Sequence, residues 1–96
     1  MIVYEVTAIV EDGITEAFRN FMASQHISDL MATGCFESAT LARSDNTFQM
    51  RYTAADRPTL ERYFAEHAER LRADISQRFP SGTQFSRQIW EMIAEF

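Results

Sequence analysis

The sequence contains no lysine, only one cysteine, two prolines and three glycines in 96 residues. The single cysteine, Cys35, cannot form a disulfide within the chain and has no Cys or His companions at the spacing of a zinc site. The glycines lie far apart, at positions 13, 34 and 82, so no glycine-rich loop for a phosphate group is present. These absences predict a chain without disulfide, metal ion or cofactor, and Cys35 is interpreted as structural.

Positive charge is sparse, and the net charge is −5. The nine basic residues are all arginines, at positions 19, 43, 51, 57, 62, 70, 72, 78 and 87. Affinity for a nucleic acid backbone depends on clustered positive charge, and these arginines are scattered along the chain. We therefore expect no nucleic acid partner.

Long apolar runs are also missing. No run is long enough to cross a bilayer, and the segment Met1 to Val10 is interrupted by Glu5 and lacks the basic flank and cleavage site of a signal peptide. The composition, 46% hydrophobic and 24% charged, is typical of an ordinary globular protein. We expect a cytoplasmic protein that folds as one domain over residues 1–96.

The spacing of apolar residues along the sequence shows a clear pattern. It predicts the element order strand, helix, strand, strand, helix, strand. Alternation by two predicts strands over about 2–10, 35–43, 47–53 and 83–93. Spacing by three and four predicts helices over about 14–25, with a break near His26 and one further turn, and over about 56–79. Asp12 and Asp56 are the expected N-caps. This order predicts an α+β fold, a split βαβ arrangement with an antiparallel four-stranded sheet, the first and third strands central and both helices on one face.

The sheet face away from the helices is predicted to be half apolar. Val3, Ile9, Trp90 and Met92 share it and would expose several hundred Å² of apolar surface on a lone subunit, more than soluble monomers usually tolerate. Two sheets packed face to face would cover this surface, so we expect a homodimer with two-fold symmetry. Trp90 is the expected anchor, because large aromatic residues dominate interface energies.

Two histidines are candidate catalytic residues, each with a structural alternative. His26 lies at the expected helix break, where it could point into a cleft between helix and sheet or could simply end the helix and hydrogen-bond a carbonyl. His67 borders the apolar stripe of the second helix, where it could be a general base or a packed residue at the edge of the core. No carboxylate stands at ligand spacing from either histidine, so a metal site is not expected.

Three tyrosines and one arginine are candidate ligand-binding residues. Tyr4, Tyr52 and Tyr63 could line the cleft between helices and sheet and orient a substrate, with Tyr52 also a candidate catalytic residue, or could pack in the core with their hydroxyls reaching water. Arg51 is predicted on the same sheet face as Glu5, opposite the helices. It could form an ion pair with Glu5 or hold the carboxylate of a small ligand, and Trp90 could contact a ligand on that face.

Several segments resemble a known family. They are MIVYEVT at the start, HISDLMATGCF from His26 to Phe36, RYTA after the hairpin, and LERYFAEHAERLR from Leu60 to Arg72. Together they are similar to a small bacterial family described as a domain of unknown function, DUF4286, over nearly the whole chain. The resemblance implies a ferredoxin-like subunit of the dimeric α+β barrel group, which includes cofactor-free monooxygenases, isomerases and haem-degrading enzymes. It implies no particular activity.

Three functions follow as hypotheses. The first is a homodimeric binding or accessory protein for a small molecule, without catalysis. The second is a cofactor-independent monooxygenase or isomerase, of the antibiotic-biosynthesis-monooxygenase type, acting on a small aromatic or polyketide-like substrate through His26, His67 and the tyrosines. The third is a purely structural interaction module. The first two are separable by geometry, because an enzyme needs a cleft of about 300 Å³ or more, with convergent polar groups and a histidine of shifted pKa.

Overall fold

A computed structural model describes all residues, 1–96, as a four-stranded antiparallel sheet with helices on one face. The strands are β1 (Ile2–Val10), β2 (Ser38–Ser44), β3 (Thr47–Ala54) and β4 (Thr83–Glu91), and the α-helices are α1 (Thr15–Phe21), α2 (Ile27–Met31), α3 (Arg57–Glu66) and α4 (Ala68–Arg78). The strand order is β2-β3-β1-β4. The predicted α+β fold is confirmed, with the first and third strands at the centre of the sheet.

The core lies between the sheet and the helices. Alternate residues of β1 point to the helices, and Tyr4, Val6 and Ala8 are all buried there because side chains alternate between the two faces of a strand. Phe48 and Met50 of β3 meet them in register, Phe48 opposite Ala8 and Met50 opposite Val6. One cluster of 20 buried residues joins the sheet to every helix.

The first helical region is continuous through His26, so the predicted break there is wrong. A 3-10 turn over Asp12–Ile14 leads into α1, and a π-turn over Met22–His26 joins α1 to α2. The N–H of Ile27 donates to the carbonyl of Met22, five residues earlier, so one extra residue is absorbed without interrupting the helix. Asp12 is not an N-cap. Its side chain accepts a hydrogen bond from Asn46 instead.

The second helical region begins where predicted and is divided in the middle. Asp56 caps α3, its carboxylate accepting from the N–H and hydroxyl of Thr59 at 2.9 and 2.6 Å, and Pro58 occupies the first turn, where no amide proton is needed. The expected single helix is interrupted at His67, whose φ of −129° is not helical. The N–H of His67 still donates to the carbonyl of Tyr63 at 2.9 Å, so the division is a bend between α3 and α4.

The ends of two strands differ from the prediction. Strand β2 begins at Ser38 rather than Cys35, because Cys35 and Phe36 turn inward and are buried in the core. The Cys35 thiol accepts a hydrogen bond from Nη2 of Arg62 at 3.4 Å. Strand β4 ends at Glu91, and one further backbone bond joins the N–H of Met92 to the carbonyl of Met1 at 3.0 Å.

The face of the sheet away from the helices is less apolar than predicted. Val3 is only 3% exposed in the single chain, so it does not belong to the exposed apolar surface. Ile9, Trp90 and Met92 remain, with exposed fractions of 53%, 44% and 41%. None of the helices combines the length and the apolar character needed to span a membrane.

Candidate functional site

A small enclosed cavity lies between the helices and the sheet. Its polar lining comes from His26, Tyr4, Tyr52, Tyr63, Arg72 and Arg87. The cavity has a volume of about 20 Å³, which is space for about one water molecule. The structure therefore gathers three predicted tyrosines and one predicted histidine, supplied by β1, β3, the π-turn and α3, around one space.

The π-turn delivers His26 to this cavity. Only 5% of the residue is exposed, and its Nδ1 atom is buried without a hydrogen-bond partner. Burial lowers the pKa of His26 from 6.5 to about 4. The negative charges of Asp29 and Asp74 raise this pKa, and the positive charge of Arg87 lowers it, but both effects are smaller than that of burial. The imidazole is therefore neutral at pH 7. It does not end a helix or bond a carbonyl through Nδ1, as the structural alternative required.

The three tyrosines differ in their hydrogen bonds. The Tyr4 hydroxyl accepts from Nη2 of Arg72 and from Nε of Arg87, both at 3.1 Å. No hydrogen bond joins the hydroxyl of Tyr52 or Tyr63 to another residue. Burial raises the pKa of both these hydroxyls, so they stay protonated and can donate. The ring of Tyr4 lies 6.0 Å from each of the other two rings.

Arg72 and Arg87 are the site residues that sequence reasoning missed. Arg72 comes from α4 and Arg87 from β4, and neither forms an ion pair with a carboxylate. Arg72 lies on an outer helical face rich in charge, which concealed it. Arg87 carried a usable signal, because it stands between Phe85 and Ile89 on the side of β4 that faces the helices, where an unpaired charge is not expected.

The remaining candidates lie outside the cavity. Arg51 is paired in register with Glu5 on the opposite sheet face, and its Nε is 3.3 Å from the Glu5 carboxylate. Trp90 lies on that same face. His67 sits at the bend between α3 and α4, with its Nε2 3.8 Å from Glu66 and its ring 6.4 Å from that of Tyr63. No three His, Cys, Asp or Glu side chains are grouped as ligands for a metal ion.

An open groove lies next to the cavity on the outer side. Phe64, Ala68, Glu69 and Arg72 line it, and its volume is about 450 Å³. The Phe64 ring meets the edge of Tyr4 at 5.1 Å, and the Arg72 guanidinium lies 5.9 Å from the Phe64 ring. Arg72 borders both spaces, so Arg72 and Phe64 form the partition between the groove and the cavity.

A second open recess, of about 490 Å³, lies at one end of the sheet near Glu11, Asp12 and Asn46. The side chain of Asn46 already donates a hydrogen bond to Asp12 there. The recess contains no histidine, tyrosine or arginine. The enclosed cavity is the better candidate site, although at about 20 Å³ it is far smaller than the cleft of about 300 Å³ expected of an enzyme.

Comparison with solved structures defines the class of the fold, which is ferredoxin-like α+β. A mutant of SnoaB, a cofactor-independent oxygenase from Streptomyces nogalater, superposes with a TM-score of 0.74 at 15% identity, over 98% of this chain and 95% of that one. A proposed antibiotic biosynthesis monooxygenase from Deinococcus radiodurans superposes with a TM-score of 0.69 at 9% identity, over 100% of this chain and 96% of that one. MupZ from Pseudomonas fluorescens gives 0.71 at 10% identity over 92% of this chain, which spans 65% of the MupZ chain.

The chain belongs to the family described as a domain of unknown function, DUF4286, whose model matches residues 1–93. The resemblance noted in the sequence is thereby confirmed. No curated protein matches the sequence. At identities of 9 to 15% the similarity to the solved structures shows the fold alone.

Proposed function

We propose that this protein is a homodimeric binding protein for a small molecule, which occupies the cavity between the helices and the sheet. One observation carries the proposal: His26 is a lining residue of the cavity, and its Nδ1 atom is buried without a hydrogen-bond partner. Leaving a buried polar group without a hydrogen bond costs about 1–3 kcal/mol. A polar ligand that reached this atom and the hydroxyls of Tyr52 and Tyr63 would remove that cost.

A ligand larger than water requires the cavity to widen. The partition formed by Arg72 and Phe64 is the place where this is easiest, because Arg72 is exposed and the groove beyond it is open. Long exposed side chains change rotamer on the picosecond to nanosecond scale. Movement of Arg72 would join the cavity to the groove without disturbing the sheet.

Native mass spectrometry of freshly purified protein tests this proposal, since it reports the subunit count and any retained small molecule together. A library of small polar aromatic compounds, screened by the NMR chemical shifts of the His26 ring, extends the test to compounds lost in purification. A bound compound should also shift the signals of other cavity residues. We expect the replacement of His26 by Phe to abolish the shifts of those other residues, and the replacement of His67 by Phe to leave them. Circular dichroism establishes that both variants fold.

The proposed dimer forms through the sheet face that carries Ile9, Trp90 and Met92. Their exposure on one face supports it, because such side chains lose contact with water when two sheets pack. Sedimentation at micromolar concentration decides the matter, since a species of 11.1 kDa would be the monomer. The free thiol of Cys35 supports the further proposal that the protein works in the cytoplasm.

Catalysis is the second candidate function, and the grouping of His26 with three tyrosines and two arginines around one cavity favours it. A neutral imidazole in an enclosed site can accept a proton from a carbon next to a carbonyl, and the resulting enolate would lie near Arg72 and Arg87. Return of the proton to another carbon is an isomerisation, whereas oxygenation consumes molecular oxygen as co-reactant. The fold shared with the oxygenase SnoaB agrees with either reaction but selects neither.

Exchange of the acidic C–H of 2-tetralone in D₂O tests this candidate. An enzyme of this kind accelerates the exchange, and the His26→Gln variant does not. Equal rates with the two proteins would leave binding as the function.

A further inference from the structure

We infer that the ligand of this cavity is an aromatic anion, whose charged oxygen binds between the guanidinium groups of Arg72 and Arg87. The inference rests on the proposed binding function and adds the chemical class of the ligand. Two guanidiniums from different elements, α4 and β4, converge within 3.1 Å of a single oxygen atom, the hydroxyl of Tyr4.

What distinguishes these two arginines is that both donate to one phenol oxygen, since five other arginines of the chain also lack a carboxylate partner. The chain has 14 acidic residues against nine arginines, and yet no carboxylate forms an ion pair with Arg72 or Arg87. By contrast, Arg43 and Arg51 each pair with a glutamate. A neutral phenol is a weaker acceptor for a guanidinium than a carboxylate or an enolate is. The point where the two guanidiniums converge is therefore occupied by a phenol hydroxyl rather than by a carboxylate.

Each guanidinium also keeps donors free for an anion. Arg72 uses Nη2 and Arg87 uses Nε toward Tyr4, and a guanidinium has five N–H donors in all. Once Arg72 has returned to Tyr4 after the ligand enters, an anionic oxygen can therefore join Tyr4 rather than displace it. The groups that oppose an anion are Glu69 in the groove, and Asp29 and Asp74, whose charges reach His26.

The surrounding rings indicate a flat apolar body for the ligand. Tyr4, Tyr52 and Tyr63 line the cavity and Phe64 lines the groove. Aromatic rings favour stacked or edge-to-face partners about 4.5–7 Å apart, between centroids. His26 is neutral at pH 7 and adds no charge that would favour or oppose the anion. A ligand with an aromatic ring and one carboxylate or enolate oxygen matches both the rings and the arginines.

Matched acids and amides test the class of ligand. Benzoate and benzamide, and 2-naphthoate and 2-naphthamide, have the same ring and differ in charge. Titrations followed through the His26 ring and the amide groups of the cavity should give about tenfold tighter binding for each acid than for its amide, as expected for charge-assisted hydrogen bonds. Added NaCl should weaken binding of the acids only.

Variants identify the arginines responsible. Arg72→Gln and Arg87→Gln each keep a donor but lose the charge, and each should reduce the preference for the acid to about threefold or less. The matched control is Arg78→Gln, because Arg78 also lies on α4 but bonds Gln25 and lies over Phe21, outside the cavity. It should keep the full preference.

The outcomes separate the two proposals. If acids and amides bind equally well in the cavity, the anionic class is wrong and the binding function stands. If the preference for acids survives both Arg72→Gln and Arg87→Gln, the anion binds elsewhere and the inference is wrong. If neither acids nor amides shift any cavity signal, the binding function is overturned together with the inference.

Discussion

Nη2 of Arg72 donates a hydrogen bond of 3.1 Å to the hydroxyl of Tyr4, which lies 68 positions earlier in the chain. This bond ties the second helical region to the central strand β1, and Arg87 adds a second donor from β4 to the same oxygen. One phenol oxygen therefore connects three elements around the cavity. Its removal affects both the stability of the fold and the position of both arginines.

Replacing Tyr4 by Phe should destabilise the protein by about 1 kcal/mol. Hydrogen bonds to charged groups contribute about 1.5–3 kcal/mol each when they are buried, but here both arginines are exposed and can turn to water. The measurement is urea unfolding followed by circular dichroism.

Tyr63→Phe is the matched control. Tyr63 is also buried, but its hydroxyl forms no hydrogen bond within the chain, so its loss should change the free energy of unfolding by less than about 0.5 kcal/mol. Equal losses in the two variants would show that the bonds to Tyr4 contribute nothing.

The low pKa of His26 makes stability depend on pH. Burial lowers this pKa from 6.5 to about 4, so the unfolded chain binds a proton more readily than the folded chain does. The contribution of neutral His26 to the free energy of unfolding is fully present above pH 6.5. It falls as the pH drops from 6.5 to 4 and then levels off. A shift of this size corresponds to at most about 3 kcal/mol.

Comparison with His26→Leu isolates this effect from other acid-sensitive groups. Between pH 7 and pH 4 the wild type should lose more stability than the variant, and NMR titration should place the midpoint of His26 near pH 4. A midpoint near 6.5 would mean that His26 is exposed to water, and the candidate site would lose its central residue.

The sequence allowed the sheet to be predicted because one face of each central strand is uniformly apolar. Alternation from Ile2 to Val10 determines which side chains meet the helices, and a shift by one residue would place them all on the wrong face. The residues at which the strands begin and end were harder to predict. Cys35 and Phe36 fit an alternating pattern, but burial in the core draws them out of β2.

The π-turn was missed because the helical spacing was followed only to residue 25 and a break was expected near His26. Phe18, Met22, His26 and Leu30 are separated by four residues each time, and all are buried. With about 3.6 residues per turn, steps of four drift around a straight α-helix by about 40° each. A π-turn removes this drift, so the repeated spacing of four was a signal that His26 faces the core.

The cavity was only partly predictable for a related reason. Periodicity places His26, Tyr4 and Tyr52 on faces that meet the core, but it gives no distances between elements. The convergence of Arg72 and Arg87 depends on how α4 lies across β1 and β4, and no local pattern contains that information. The pairing of Arg51 with Glu5 was easier, because both lie in register on neighbouring strands.

Gly82 is a position where a side chain should not fit. Its φ is +86°, and a Cβ atom there would lie 2.9 Å from Cδ1 of Ile14. Gly82→Ala should therefore destabilise the protein by about 1–2 kcal/mol, through the unfavourable backbone conformation and the contact together. The measurement is the urea concentration at the midpoint of unfolding, compared between proteins whose free energy of unfolding depends on urea with the same slope.

Gly13→Ala is the control for the general effect of replacing a glycine. Nothing lies within 4 Å of a Cβ atom at Gly13, so the change should be neutral or slightly stabilising, because alanine restricts the unfolded chain. If Gly82→Ala is tolerated equally well, the loop before β4 rearranges at little cost.

Trp90 provides the test of the proposed sheet interface. It is 44% exposed on the face away from the helices, and aromatic residues at the centre of an interface often contribute about 2 kcal/mol or more. If two copies pack through this face, Trp90→Ala should weaken the dimer at least about tenfold. Sedimentation over a range of concentrations measures the dissociation constant, with the monomer at 11.1 kDa.

The neighbouring residue gives the control for this variant. Ile89 is 39% exposed, a similar fraction, but it is paired with Tyr4 and so points to the helix side of the sheet. Ile89→Ala should leave the dissociation constant unchanged. If both substitutions weaken the dimer equally, the effect comes from loss of β4 structure rather than from the interface. A wild-type protein that stays at 11.1 kDa at every concentration would show that Ile9, Trp90 and Met92 face water.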